Sequence, residues 1–292
     1  MKRFYQIVTL VLAALVLVPT AVQAQKKEKV GIVAHRGFWN CDEAGYAKNS
    51  IAALRCAQEA GCWGSEFDVN MTSDGVLLVY HDSTVEGVSI EKNPHSAFKN
   101  HRLKNGEPIP TIDEYLEQAK KYPNTVLVFE LKPHSCAEVE DKFVELSVQK
   151  LKEHNLFDPK KVIFISFSFH MCEVIAQQYP EFTNQYLGGN KTPQQVLDKG
   201  INGIDYNYGS FRKHPTWSDE AKALKMSRNV WTVNDKAVMA EMFDMGVDFI
   251  TTDKPLDARQ VLEEKKIKED KPKVKKAKKY SLKTYGNFSG PR

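Results

Sequence analysis

Eight short apolar runs punctuate the chain, at 30–34, 64–70, 125–131, 162–167, 184–188, 202–206, 229–233 and 247–251. Each is too short for a buried helix and is flanked by turn-forming residues, so each predicts a strand. Most are separated by stretches with apolar residues every three or four positions, at 49–60, 111–121, 137–154, 169–179, 193–199, 218–227 and 236–245, which predict helices. Alternation of strand and helix implies an α/β protein with a parallel sheet, and eight repeats imply that the sheet closes into a TIM (β/α)8 barrel. A further run at 76–81 follows Thr72-Ser73-Asp74-Gly75, a string of turn residues, and is expected to fold back on 64–71 as a hairpin. In the simplest register Met71 faces Val76 and His81 falls opposite Glu66. The stretch from 83 to 110, rich in Gly, Pro, Asn and Lys, suits a lid or small insert after the second strand.

Polar residues break the strand pattern where chemistry is expected. Glu66 and Asp68 lie two apart in one strand and share a face, and Glu130 and Lys132 repeat that spacing on the next barrel strand. An unpaired carboxylate costs several kcal/mol to bury, on the order estimated for isolated charges, so something cationic must sit among the three acids. Hard oxygen donors without a Cys or HExxH companion suit one divalent ion, Mg2+ or Ca2+, rather than zinc. The alternative is a structural salt-bridge cluster with Arg36 and Lys132. His35 and Arg36 end the first apolar run, and Gly37 permits a sharp turn there. Two imidazoles, His35 and His81, flanking a metal-bound phosphate can act as acid and base, since the ordinary histidine pKa is about 6.5. His95, His101, His134, His154, His170 and His214 lack such company and are read as ordinary core or surface residues.

These motifs resemble, in order, those of the glycerophosphodiester phosphodiesterases: His35-Arg36-Gly37, Asn49-Ser50 opening a helix, Glu66-Phe67-Asp68-Val69, His81-Asp82, Ile109-Pro110-Thr111, Phe129-Glu130-Leu131-Lys132, Ser166-Phe167, Trp231-Thr232-Val233-Asn234 and Thr252-Asp253-Lys254-Pro255. Any one is weak, but the ordered set runs from about residue 30 to about 262. The resemblance implies hydrolysis of glycerophosphodiesters to an alcohol and sn-glycerol 3-phosphate. It implies Glu66, Asp68 and Glu130 as metal ligands, His35 and His81 as the acid–base pair, and Arg36 and Lys132 as phosphate contacts. Asn49, Lys48 and Trp231 are further candidates for contact with substrate, Trp231 equally for barrel packing. Lys48 departs from the family, which usually has Glu there, and is expected either to alter metal affinity or to favour a more anionic substrate.

Composition changes the picture mainly at the two ends. Lys2 and Arg3, an apolar run from Ile7 to Val18, and small residues up to Ala24 have the form of a signal peptide cleaved after Ala24, which predicts a periplasmic or secreted protein. Removal of that leader leaves 268 residues, near the ~250 of a single barrel. The domain is expected over 25–262. From Glu263 to Arg292 there are eleven Lys or Arg against four acids, a surplus of seven positive charges in a chain whose net charge is +4. This tail is expected to be disordered or to touch an anionic membrane or cell-surface polymer; export and the lack of any recognised module disfavour nucleic acid. Export permits disulfides among Cys41, Cys56, Cys62, Cys136 and Cys172, but an odd number leaves at least one thiol free. Other hydrolases on the same barrel, or a non-catalytic anion-binding protein, are the competing readings. A glycosidase would not need paired histidines and an Arg–Lys cradle.

Overall fold

The computed structural model describes residues 29–272 and Tyr280. Eight parallel strands form the barrel: β1 (Val30–Ala34), β2 (Gly64–Met71), β3 (Val126–Leu131), β4 (Val162–Ser166), β5 (Thr183–Tyr186), β6 (Gly203–Asn207), β7 (Ser227–Trp231) and β8 (Phe249–Thr252). Neighbours in sequence are neighbours in the sheet, and β1 closes the ring by pairing with both β8, Gly31 opposite Phe249, and β2, Val33 opposite Gly64. Closure leaves no free edge on the main sheet. The strands are buried on both faces, which is why they carry apolar runs rather than a strict alternation.

Nine helices among the described residues cover the outside: α1 (Ile51–Glu59), α2 (Ile112–Ala119), α3 (Ala137–Glu153), α4 (Phe169–Gln178), α5 (Pro193–Leu197), α6 (Tyr208–Lys213), α7 (Trp217–Ala223), α8 (Lys236–Asp244) and α9 (Pro255–Glu264). Local chemistry sets their starts. Ser50 caps α1 by accepting from the Ala53 amide at 3.0 Å, and Thr111 with Glu114 forms a reciprocal capping box on α2. Inward residues of the helices and outward residues of the strands make the main packed layers, one around Phe67, Phe129, Phe143 and Phe164 and another around Tyr206, Phe211, Met239 and Met242.

Three features differ from the sequence expectations. The helices α6 and α9 lie outside the helical patterns read from the chain, and α9 carries the fold to Glu264, after which Glu269–Asp270 pairs with Val30 and Gly31. Arg259 on α9 pairs with Glu269 at 2.9 Å, so ordered structure runs past the boundary expected at 262. The hairpin register is also shifted by one: Met71 faces Leu77 and Val69 faces Val79. Thr72 causes the shift by closing the turn onto Val76, its amide donating to the Val76 carbonyl at 3.0 Å and its hydroxyl accepting from the Val76 amide at 3.0 Å. Beyond the hairpin, the 83–110 insert holds a two-stranded ribbon, Thr84–Val85 with Val88–Ser89, over a small core of Leu78, Val85, Ile90, Phe98 and Ile109. The leader and most of the basic tail lie outside the described residues. All five cysteines are free thiols, four of them buried.

Candidate active site

The carboxylates come from β2 and β3, which run side by side with Asp68 opposite Glu130. Glu66, Asp68 and Glu130 are buried, and one oxygen from each lies within 4.8 Å of the others. Their partners are unequal. Lys132 donates to Glu130 at 2.7 Å and to Asp68 at 3.2 Å, and the Arg36 Nε stands 3.4 Å from Asp68. Glu66 receives only the Arg36 backbone amide, at 2.7 Å on Oε2, and its Oε1 is buried without a hydrogen-bond partner. Burial, with Asp68 beside it, pushes the Glu66 carboxyl well up. Burial and Asp68 likewise push Glu130 up to about 7. Burial also opposes the Asp68 charge, but Lys132 and Arg36 outweigh it and hold that carboxyl at about 2. Three acids against two cations leave Glu66 uncompensated, and an oxygen-lined gap of this size and charge fits one hard divalent cation.

Both imidazoles reach the same cavity, of about 270 Å³, together with Arg36, Glu66 and Glu130. No other histidine lines it. Arg36 and Gly37 make the turn that presents His35, with φ of 55° and 75°. A Cβ on Gly37 would lie 2.7 Å from the Ala53 backbone, so the turn can press against α1 only because that residue is glycine. His35 Nδ1 lies 2.8 Å from Asp253 Oδ1, and His81 Nδ1 lies 2.6 Å from Asp82 Oδ1. A carboxylate can only accept, so each bond places the ring proton on Nδ1 and leaves Nε2 for the substrate. Asp253 also accepts from the Trp39 indole at 2.8 Å and the Asn234 amide at 2.7 Å. Burial would raise its pKa, yet these three bonds hold its carboxyl below the ordinary aspartate range. His81 is lowered by burial, against the pull of Asp68.

The corrected register explains how His81 gets there. In a continued ladder it would stand opposite Phe67 and face away, but the last ladder bond is that of the Tyr80 amide to the Asp68 carbonyl, at 2.9 Å. The chain then peels off, held by the Asn70 amide, which donates to the Tyr80 carbonyl at 2.7 Å and the Asp82 carbonyl at 3.3 Å. Of the other candidates, Asn49 is 2% exposed and donates to Asp68 Oδ2 at 2.9 Å, so it positions that carboxylate. Trp231 both packs on Phe167 edge to face and forms a wall of the cavity. Lys48 lays its ammonium over the Trp39 ring, 4.7 Å from the centroid, in a second cavity of about 320 Å³ that shares Arg36 and His81 with the first. Asp253, Asp82 and Asp205, the last a cavity-lining aspartate on β6, carry no role in the motif reading. Only Asp82 had a local signal, its adjacency to His81.

Cations placed to take an anion beside a carboxylate trio and two carboxylate-held imidazoles, at the mouth of a (β/α)8 barrel, define a phosphate-ester hydrolase. Within that class, the chain belongs to the glycerophosphoryl diester phosphodiesterase family, whose sequence pattern matches residues 35–257. It is similar to a glycerophosphodiester phosphodiesterase of Caldanaerobacter subterraneus, 28% identical over an alignment of 244 positions that covers 78% of this chain and 95% of the relative. The crystal structure of a glycerophosphodiester phosphodiesterase from Parabacteroides distasonis is 41% identical, with a TM-score of 0.79 over 82% of this chain and 99% of that one. The fold is also shared with an Oleispira antarctica phosphodiesterase solved with its product sn-glycerol 3-phosphate, at 24% identity and a TM-score of 0.68 over 80% of this chain and 96% of that one.

Proposed function

We propose that this enzyme hydrolyses glycerophosphodiesters to an alcohol and sn-glycerol 3-phosphate, with Glu66, Asp68 and Glu130 holding one Mg2+ or Ca2+ ion. The observation that carries the metal is Glu66, a buried acid with one bare oxygen facing two other acids. When bound, the ion supplies charge neutralisation at the phosphoryl group. Arg36, which lines the cavity, and Lys132, which holds Glu130 and Asp68, bind the phosphate and offset its charge. One imidazole, neutral and bare at Nε2, takes the proton of the attacking oxygen there, and the other enters as the imidazolium, protonated on both nitrogens, and gives its Nε2 proton to the leaving alcohol. Asp253 and Asp82 keep both rings turned so that Nε2 faces the phosphorus.

Purified enzyme should release sn-glycerol 3-phosphate from glycerophosphodiesters, and His35→Ala and His81→Ala should each lower turnover about 10²–10⁴-fold with little change in melting temperature. If either variant kept near-native turnover on a substrate with a poor leaving group, that histidine has no acid–base role. The second cavity, which shares Arg36 and His81 with the first, suits the leaving alcohol, and Lys48 there favours heads carrying an extra anion. Lys48→Glu should shift the kcat/KM ratio from glycerophosphoinositol toward glycerophosphocholine, more at low salt because exposed charges are screened. An unchanged ratio would remove Lys48 from selectivity. The leader is proposed to direct export, and N-terminal sequencing of the mature protein should begin at Gln25.

A further inference from the structure

Asp205 is a buried acid that the hydrolytic scheme above does not use. It sits in the middle of β6, 1% exposed, and lines the catalytic cavity beside the apolar walls Ile165, Leu187 and Trp231. Its setting is rigid. The Trp231 indole donates to the Asp205 backbone carbonyl at 2.8 Å, and Asn229 donates to Oδ2 at 3.1 Å. Asn229 cannot swing away, because the same amide group donates to Thr251 at 3.0 Å while its Oδ1 accepts from the Val230 amide at 2.9 Å. Asp205 Oδ1 has no hydrogen-bond partner. A buried polar atom left unpaired is costly, so one this firmly held, on a residue that lines the substrate cavity, calls for a partner.

We infer that Asp205 Oδ1 binds the terminal hydroxyl of the glycerol moiety, the one farthest from phosphorus, and so selects glycerol esters over other phosphodiesters. This rests on the reading that the cavity takes a glycerophosphodiester. A cation is a poor alternative, since Asp205 is not one of the acids whose oxygens converge within 4.8 Å, which are Glu66, Asp68 and Glu130. An anion is excluded by the carboxyl itself. A neutral hydroxyl fits, because it can donate to a carboxylate or accept from a carboxylic acid, and burial pushes this carboxyl up toward the neutral form. The apolar walls would then cover the carbon chain between that hydroxyl and the phosphate.

The test compares a glycerol phosphodiester with the matching ester of propane-1,2-diol, which lacks only that hydroxyl, in the wild type and in Asp205→Ala and Asp205→Leu. The wild type should favour the glycerol ester by about 10²-fold in kcat/KM, the order expected when one buried acceptor is left unpaired, mainly through KM. Both variants should reduce the preference to a few-fold, by losing rate on the glycerol ester alone. Calorimetric binding of sn-glycerol 3-phosphate against propane-1,2-diol phosphate to wild-type enzyme gives the same comparison without turnover. It decides the matter if the variants do not fold or if neither ester is cleaved, so failure of the hydrolytic reading stays distinguishable. Equal affinity of the wild type for the two phosphates, or a preference that survives in folded variants, would overturn the assignment and leave Asp205 a packing partner of Asn229.

Discussion

The Nδ1 atoms of His35 and His81 are both tied to carboxylates, but the two carboxylates sit in different surroundings. The Asp253 side chain is 17% exposed and bonded on three sides, whereas that of Asp82 is 65% exposed and turned to water. Orientation by a buried, multiply held acid survives thermal motion better than orientation by a solvated one. Asp253→Asn should therefore lower kcat at least about 10²-fold through the wrong ring tautomer, and Asp82→Asn should cost less than about tenfold. Equal losses in the two would contradict this difference. Stability follows from the same bonds. The Asp253 pKa is depressed in the fold, so its contribution is present above the ordinary aspartate value near 4 and is lost as pH falls through the folded value. The gap in melting temperature between wild type and Asp253→Asn should thus be widest near pH 7 and close below about pH 4. Glu66, Asp68, Glu130 and the histidines were legible because acids two apart in an apolar strand have no packing purpose. Asp253 was legible only as part of a motif. Its partner His35 stands 218 positions away, and no local pattern records that contact.

At the scale of elements, the eight strands were readable because each is a short apolar run, and most helices because one face is apolar. The exceptions have physical causes. The six residues of α6 are too few for a periodic pattern, and α9 buries Leu256, Ala258, Val261 and Leu262 but merges at its end with the charged tail. The hairpin register could not be fixed from turn composition alone, since one hydroxyl, that of Thr72, decides whether the loop takes four residues or five. That slip makes His81 depend on the departure of the chain after Tyr80, and Asn70 holds that departure with bonds to the Tyr80 and Asp82 carbonyls. Asn70→Leu should lower kcat about tenfold or more while the barrel stays folded, and should add little in a His81→Ala background because the two residues serve one function. Additive losses in the double variant would mean that Asn70 acts elsewhere.

For the whole molecule, the site exists only when the barrel is closed. Asp253 follows β8, His35 follows β1, the acids come from β2 and β3, and His81 from the hairpin, so the residues proposed to bind and turn over the phosphate span the seam at which β8 meets β1. Three acids brought together there repel one another, and Arg36 with Lys132 answers only part of that charge. A bound divalent ion would relieve the remainder in the folded state alone, so under this proposal metal binding, stability and activity would be linked. The most direct measurement is therefore release of sn-glycerol 3-phosphate by enzyme stripped with chelator and dialysed, with Mg2+ or Ca2+ titrated back while the melting temperature is recorded. Loss of hydrolysis on stripping, and recovery of both rate and melting temperature along one saturation curve that Glu66→Gln weakens, is the expected result; full hydrolysis in excess chelator with no thermal shift on adding either ion would contradict it.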